Sequence, residues 1–205
     1  MIYEMRTCNC VPGKVPELLE RVGDVYEHRA KYSEVAGFWY TDIGPLHQVV
    51  HIWPYESPEE RWRVRAEAGK DEHWPPDIHD LIVDMQSEIY APAPFCPELR
   101  TGGPGPVYEM RIYSIKPGRF PEVVKRWEAA LEERLKLSPL LLALFSENGP
   151  LNRFVHIWPY ESVQHRTETR TKAEATGVWP PKGSRQFSIR QENKILLPAP
   201  FSPLQ

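Results

Sequence analysis

His51-Ile52-Trp53-Pro54-Tyr55-Glu56-Ser57 returns letter for letter as His156-Ile157-Trp158-Pro159-Tyr160-Glu161-Ser162, an offset of 156 − 51 = 105 residues. Seven identical residues that include His, Trp and Pro do not recur by chance. The same offset relates Tyr3-Glu4-Met5-Arg6 to Tyr108-Glu109-Met110-Arg111 and Pro12-Gly13 to Pro117-Gly118. It also relates Gly44-Pro45-Leu46 to Gly149-Pro150-Leu151, and Trp74-Pro75-Pro76 to Trp179-Pro180-Pro181. Near the ends, Pro92-Ala93-Pro94-Phe95 matches Pro198-Ala199-Pro200-Phe201, an offset of 198 − 92 = 106, so the second copy gained one residue after Pro181. A period this long marks a duplicated domain rather than a solenoid. The sequence places the domains at 1–98 and 106–205, with a Gly/Pro linker at 99–105.

Each copy reads as strand, helix, strand, strand, helix, strand. Residues 2–10 alternate without helical periodicity and predict a strand. Pro12-Gly13 turns the chain into a helix from about Val15 to Tyr32, whose Leu18, Leu19, Val22, Val25, Tyr26 and Arg29 recur at the spacing of one buried face. Gly44-Pro45-Leu46 is a hairpin turn between short strands at 37–41 and 48–53. Ser57, Pro58 and Glu60 are start signals for a second helix; the second copy has His165 where the capping box wants Glu, which predicts a weaker start. A short helix after Pro75-Pro76 and a last strand near 86–90 complete the unit.

This is the ferredoxin-like plan, with helices on one sheet face and the other face bare. Two such units would bury their bare faces against each other, sheet to sheet, as an eight-stranded α+β barrel. The predicted class is therefore α+β: two tandem ferredoxin-like domains forming a pseudo-dimeric α+β barrel within one chain.

Composition narrows the partners. The net charge of −3 does not fit a nucleic-acid footprint. The longest apolar run, Leu140 to Phe145, falls far short of the roughly 18 residues that span a bilayer. Three cysteines, Cys8, Cys10 and Cys96, do not make a disulfide framework, and no leader pattern stands at the start; both favour the cytoplasm. No phosphate loop, dinucleotide fingerprint or nucleophile elbow is present. Cys8 and Cys10 lack the further ligands a zinc site needs, so no metal is expected.

The paired Tyr-Glu-Met-Arg openings, the Pro-Gly turns, the run Ile43-Gly44-Pro45-Leu46-His47-Gln48-Val49-Val50-His51-Ile52-Trp53 and the terminal Pro-Ala-Pro-Phe resemble the NIPSNAP family. The resemblance covers nearly the whole chain, twice. It implies the dimeric α+β barrel superfamily, which contains small cofactor-independent oxygenases and isomerases and some haem enzymes. No cofactor is expected from the residues, and haem stands open by superfamily analogy alone. The second copy departs from the pattern at Glu147-Asn148-Gly149-Pro150-Leu151-Asn152-Arg153.

Side chains alternate across a strand. If the apolar Tyr3, Met5, Val50 and Ile52 face the helices, Glu4, Arg6, His51 and Trp53 face the barrel interior. Glu109, Arg111, His156 and Trp158 then lie opposite. His51, Arg6 and Glu4, with Tyr40 at the rim, form the candidate catalytic set, with His156, Arg111 and Glu109 as second-copy equivalents and Trp53 and Trp158 as substrate walls. A His near neutral pH could abstract a proton next to a carbonyl, and Arg could hold an anionic oxygen. The structural alternative is an ion pair between Glu4 and Arg6 and a strand histidine with a satisfied hydrogen bond. Tyr40 faces Phe145 in the other copy, which makes the first copy the better candidate site.

Two functions follow. One is a small-molecule enzyme, a cofactor-independent oxygenase or isomerase acting on an apolar or aromatic carbonyl compound. The other is a non-catalytic ligand carrier or interaction module. The expected partner is a small apolar or aromatic molecule, with homo-oligomerisation through the outer surfaces left open.

Overall fold

The computed structural model describes residues 1–99 and 105–205; most of the expected linker at 99–105 lies outside them. The first half runs β1 (Ile2–Cys10), α1 (Val15–Ala30), β2 (Gly37–Ile43), β3 (Gln48–Tyr55), α2 (Pro58–Ala68) and β4 (Ile82–Pro92). The second half repeats it as β5 (Val107–Ile115), α3 (Phe120–Leu135), β6 (Leu142–Asn148), β7 (Arg153–Tyr160), α4 (Val163–Ala175) and β8 (Ser188–Pro198). Where the sequence predicted a short helix after each Pro-Pro, a single 3-10 turn stands instead, His79–Leu81 and Arg185–Phe187.

The local signals act as their chemistry requires. Ser57 Oγ accepts from the Glu60 amide at 3.2 Å, and the Glu60 carboxylate accepts from the Glu56 amide at 2.6 Å. His165 closes the second box after all: its amide donates to Ser162 Oγ at 3.0 Å while its Nδ1 accepts from the Glu161 amide at 3.2 Å. Pro54 is tolerated inside β3 because the ladder to β2 already ends at the pair Gly37–Ile52. At the hairpin tips Gly44 (φ +129) and Gly149 (φ +107) take backbone conformations that favour glycine.

The eight strands close in the order β1-β3-β2-β8-β5-β7-β6-β4. Each half is a four-stranded antiparallel sheet with its first strand between its third and fourth, and the halves are joined through β2–β8 and β4–β6. Arg6 stands directly opposite His51, and Arg111 directly opposite His156, so both halves keep one register.

The barrel interior is a packed core. Tyr3, Met5, Trp39, Ile52 and Tyr90 of the first half meet Tyr108, Met110, Val155, Ile157 and Leu196 of the second, all buried. Trp39 and Tyr108 lie 5.6 Å apart between ring centres, and the Tyr108 hydroxyl donates to the Leu204 carbonyl at 2.7 Å. The alternation was therefore read correctly as to which residues share a face and wrongly as to where each face points. The apolar set fills most of the barrel, beside a polar cluster of Glu88 with Arg153 and Lys194 with Gln48. Glu4, Arg6, His51 and Trp53, with Glu109, Arg111, His156 and Trp158, lie in the outer layers beneath the helices. The physical reason is desolvation: the interior is closed off by sheet on every side, whereas the outer layer offers arginines on α2 and α4 as partners for the buried carboxylates.

Candidate functional site

Between the first half-sheet and its helices lies a cavity of about 490 Å³. Its floor is Arg6 and Cys8 of β1 with Val49, His51 and Trp53 of β3. Leu18, Val22 and Arg29 of α1 form one wall, Arg65 and Ala68 of α2 another. Trp74-Pro75-Pro76, with a cis bond before Pro75, and Ile78 form the roof. Val83 and Met85 of β4 make an exposed apolar lip, at 67% and 52% exposure. The cavity size is that of an ordinary small-molecule site.

His51 is part of that floor. The Trp53 indole N–H donates to His51 Nδ1 at 2.5 Å, and the ring of Phe38 stacks on the imidazole at 4.7 Å and 8°. An indole can only donate, so Nδ1 is the acceptor and the proton of the neutral ring sits on Nε2. Burial first, then the positive charge of Arg6, pushes the His51 pKa down to about 3. His51 is thus a neutral donor at working pH. The proton-abstracting histidine expected from the sequence does not fit this geometry.

Arg29 lies 4.1 Å over the Trp53 ring and donates to the Tyr55 hydroxyl at 3.0 Å and to Ser33 Oγ at 2.9 Å. Arg134 repeats this with Trp158 at 4.1 Å, Tyr160 at 2.9 Å and Ser138 at 2.8 Å. The Arg-Trp-His unit is common to both halves and serves the fold in each.

The buried carboxylate of Glu4 accepts from Arg61 at 2.6 Å and from Ser87 Oγ at 2.6 Å, with Arg65 at 3.5 Å. Burial pushes its pKa up, but these hydrogen bonds and the Arg65 charge outweigh that and hold it below the usual carboxylate range. Glu4 clamps β1 to α2 and β4 and does not line the cavity. Nor does Tyr40, which packs in the outer layer beside it. Of the sequence-derived set, the structure brings His51, Arg6 and Trp53 together and leaves Glu4 and Tyr40 out.

The second half builds its site from the same frame and then fills it. Its cavity measures about 60 Å³. Three rings crowd His156: Tyr113 at 4.9 Å, Trp127 at 4.7 Å and Phe154 at 5.1 Å between centres. The first half has Cys8, Val22 and Val49 at these three positions. The arginines differ as well. Arg111 donates to Glu109 at 2.9 Å and, through Nε, to the Tyr113 hydroxyl at 2.7 Å. In the first half Ser87 has taken the place of that arginine on the carboxylate, and Cys8 replaces the phenol. Among the described residues Arg6 makes no ion pair, and its Nε is buried without a partner.

Sequence reasoning missed Arg61, Arg65 and Tyr55, and treated Arg29 only as part of a helix face. The signal was available, since each recurs at the 105-residue offset as Arg166, Arg170, Tyr160 and Arg134.

The NIPSNAP family profile matches residues 3–97 and again 108–203. The chain belongs to the NIPSNAP family. Among curated NIPSNAP relatives, the human protein NipSnap homolog 3A is 30% identical over 215 residues, covering 100% of this chain and 86% of that one. A NIPSNAP domain protein from Burkholderia xenovorans is 33% identical over 48% of this chain and 100% of its own, with a TM-score of 0.46. A putative monooxygenase from Lactobacillus acidophilus aligns over 96% of this chain and 92% of its own, with a TM-score of 0.67 at 10% identity. That likeness is one of fold and confirms the α+β barrel expected for a tandem NIPSNAP chain.

Proposed function

We propose that this protein binds a small, largely apolar molecule in the first-half cavity and holds one of its oxygens against Arg6 and His51. The observation that carries this reading is a pair of adjacent donors in a cavity whose arginines, Arg6, Arg29 and Arg65, outnumber its one carboxylate, Asp84. Arg6 and His51 face each other across β1 and β3, both turned into an apolar cavity of about 490 Å³. Such a pair favours negative charge on the bound oxygen. An aromatic carbonyl compound already ionised at that oxygen, taken up from solution as its enolate or phenolate, meets that demand. A cofactor-independent oxygenation or isomerisation through such an anion is the reaction that suits the site, and the barrel likeness to a putative monooxygenase supports it by analogy.

His51 contributes the Nε2 proton as donor, Arg6 the charge, and Trp53, Phe38 and Trp74 the walls that exclude water. Haem fits poorly. An axial histidine needs a free lone pair, whereas Nδ1 is taken by the Trp53 N–H and Nε2 carries the proton. Among the described residues no cluster of three His, Cys, Asp or Glu could hold a metal ion.

The carrier reading is favoured by one observation: the only wall residue of the sequence-derived set that could have been a base, His51, is locked as a donor. Native mass spectrometry of freshly purified protein, followed by oxygen-uptake measurements with any retained compound, separates the two. A retained small molecule that is lost in His51→Ala and Arg6→Met establishes the site. Oxygen uptake or isomerisation establishes the enzyme. A protein that retains nothing and takes up no aromatic carbonyl compound removes the reading.

A further inference from the structure

The second half shows what the first half lacks. At Arg111 the Nε–H is satisfied by a phenol, the Tyr113 hydroxyl at 2.7 Å, and the ring carrying that phenol stands edge-on to His156 at 87°. The corresponding Arg6 has Cys8 where Arg111 has its phenol, and among the described residues its guanidinium makes no ion pair, its Nε being one of several buried nitrogens without a partner. The register is the same in both halves, Arg6 opposite His51 and Arg111 opposite His156. The space Tyr113 would have filled belongs instead to the large cavity.

From these two observations we infer that the ligand is a hydroxyaryl compound, bound one per chain, whose phenolic oxygen takes the Tyr113 oxygen's place and accepts from the Arg6 guanidinium. This rests on the cavity reading above and specifies its ligand. Tyr113 is an internal copy of the ligand's head. Trp127 and Phe154, packed on His156 at 4.7 and 5.1 Å, occupy the volume that the ligand's remaining rings would take over Val22 and Val49. The second half carries its occupant covalently and the first half takes its occupant from solution. With Arg6 a charged donor, the ionised hydroxyl is the better acceptor, because charge on both partners strengthens the bond. A simple arene of the same size would fill the walls and leave the Arg6 guanidinium without an acceptor, which is costly for a donor cut off from water.

The test uses the full chain, isothermal titration and three probes: 2-naphthol, 2-methoxynaphthalene and naphthalene. One equivalent of 2-naphthol is expected to bind at least tenfold more tightly than either of the others. Arg6→Met should lose that tenfold preference while keeping naphthalene affinity. Cys8→Tyr should rebuild the Arg111–Tyr113 contact, keep the melting temperature and block all three probes; Val22→Trp is the second variant should Cys8→Tyr not fold. Tyr113→Cys combined with Trp127→Val should admit a second equivalent. Equal affinity for 2-naphthol and naphthalene, or a preference untouched by Arg6→Met, overturns the hydroxyaryl inference and leaves the cavity reading standing. If none of the probes binds, or binding survives both filling substitutions, the cavity reading itself falls.

Discussion

The Trp53 indole N–H points at Nδ1 of His51 across 2.5 Å, and Trp158 makes the same bond to His156 at 2.7 Å. The bond sets the tautomer, and through it the polarity of everything His51 can offer a ligand. Trp53→Phe removes the donor and frees the Nδ1 lone pair. Its neutral form then loses a hydrogen bond, so the His51 pKa should rise from about 3. Nitrogen NMR of the imidazole would report both changes: a fixed Nε2–H form in the wild type and a mixture in the variant. A ring that keeps one tautomer in Trp53→Phe would mean that the surrounding cavity, not Trp53, sets it.

Stability should fall on the acid side in two stages. Burial holds His51 at about 3 and His156 well below its ordinary value of 6.5, so the unfolded chain takes up protons that the folded chain refuses. Stability is therefore full above about pH 6.5 and is lost as pH falls toward 3, by up to about 1.4 kcal/mol per pH unit per histidine. Glu4 and Glu109, both held below 4.5, contribute stability present above that value and lost beneath it. Between pH 6.5 and 4.5 the slope of melting temperature should flatten in His51→Gln and His156→Gln. An unchanged slope would show that other groups govern that limb.

The aromatic filling of the second half should be costly to remove. Trp127 is buried at 3% exposure against Phe95, Phe154, His156, Trp158 and Trp179. Trp127→Val should cost about 3–5 kcal/mol through lost contacts and the cavity left behind. Its mirror, Val22→Trp, enters a cavity already open and should cost little or stabilise. Denaturant unfolding of the two variants measures the difference, and equal losses would argue that the first-half cavity collapses around its walls in solution.

The roof over the first-half cavity is pinned from α1. Arg21 donates to the Asp77 carbonyl at 2.8 Å and to the Asp80 carboxylate at 2.9 Å, and His28 lies 3.2 Å from Asp71. These bonds are half-buried or exposed and individually weak. Arg21→Ala should change global stability by less than about 1 kcal/mol. It should nonetheless raise amide exchange across 71–80 and speed ligand release. Stopped-flow release that matches the wild type would place ligand exit at the Val83–Met85 lip instead.

Much of this molecule is legible in its letters. The repeat, the strand and helix sequence, the hairpin glycines and the helix caps follow from local chemistry, and they specify a ferredoxin-like unit twice. The bare face that each unit must bury calls for the barrel, and the resemblance agrees. Alternation puts Glu4 with Arg6 and His51 with Trp53, and the β1–β3 register, Arg6 opposite His51, joins the two pairs on one face.

What that face looks at was decided by closure of the barrel. The sheet seams β2–β8 and β4–β6 enclose Tyr3, Met5, Trp39 and Tyr108 on all sides, and the charges on that face, Glu88 and Lys194, are there only with partners, Arg153 and Gln48. The polar set then falls beneath the helices, where Arg61 and Arg65 arrive from α2 to neutralise Glu4. The open and the filled site are likewise a tertiary matter. Tyr113, Trp127 and Phe154 come from β5, α3 and β7, far apart along the chain, and meet only on the ring of His156. Their small counterparts Cys8, Val22 and Val49 leave a cavity for the same reason: volume is shared among side chains that only the fold makes neighbours.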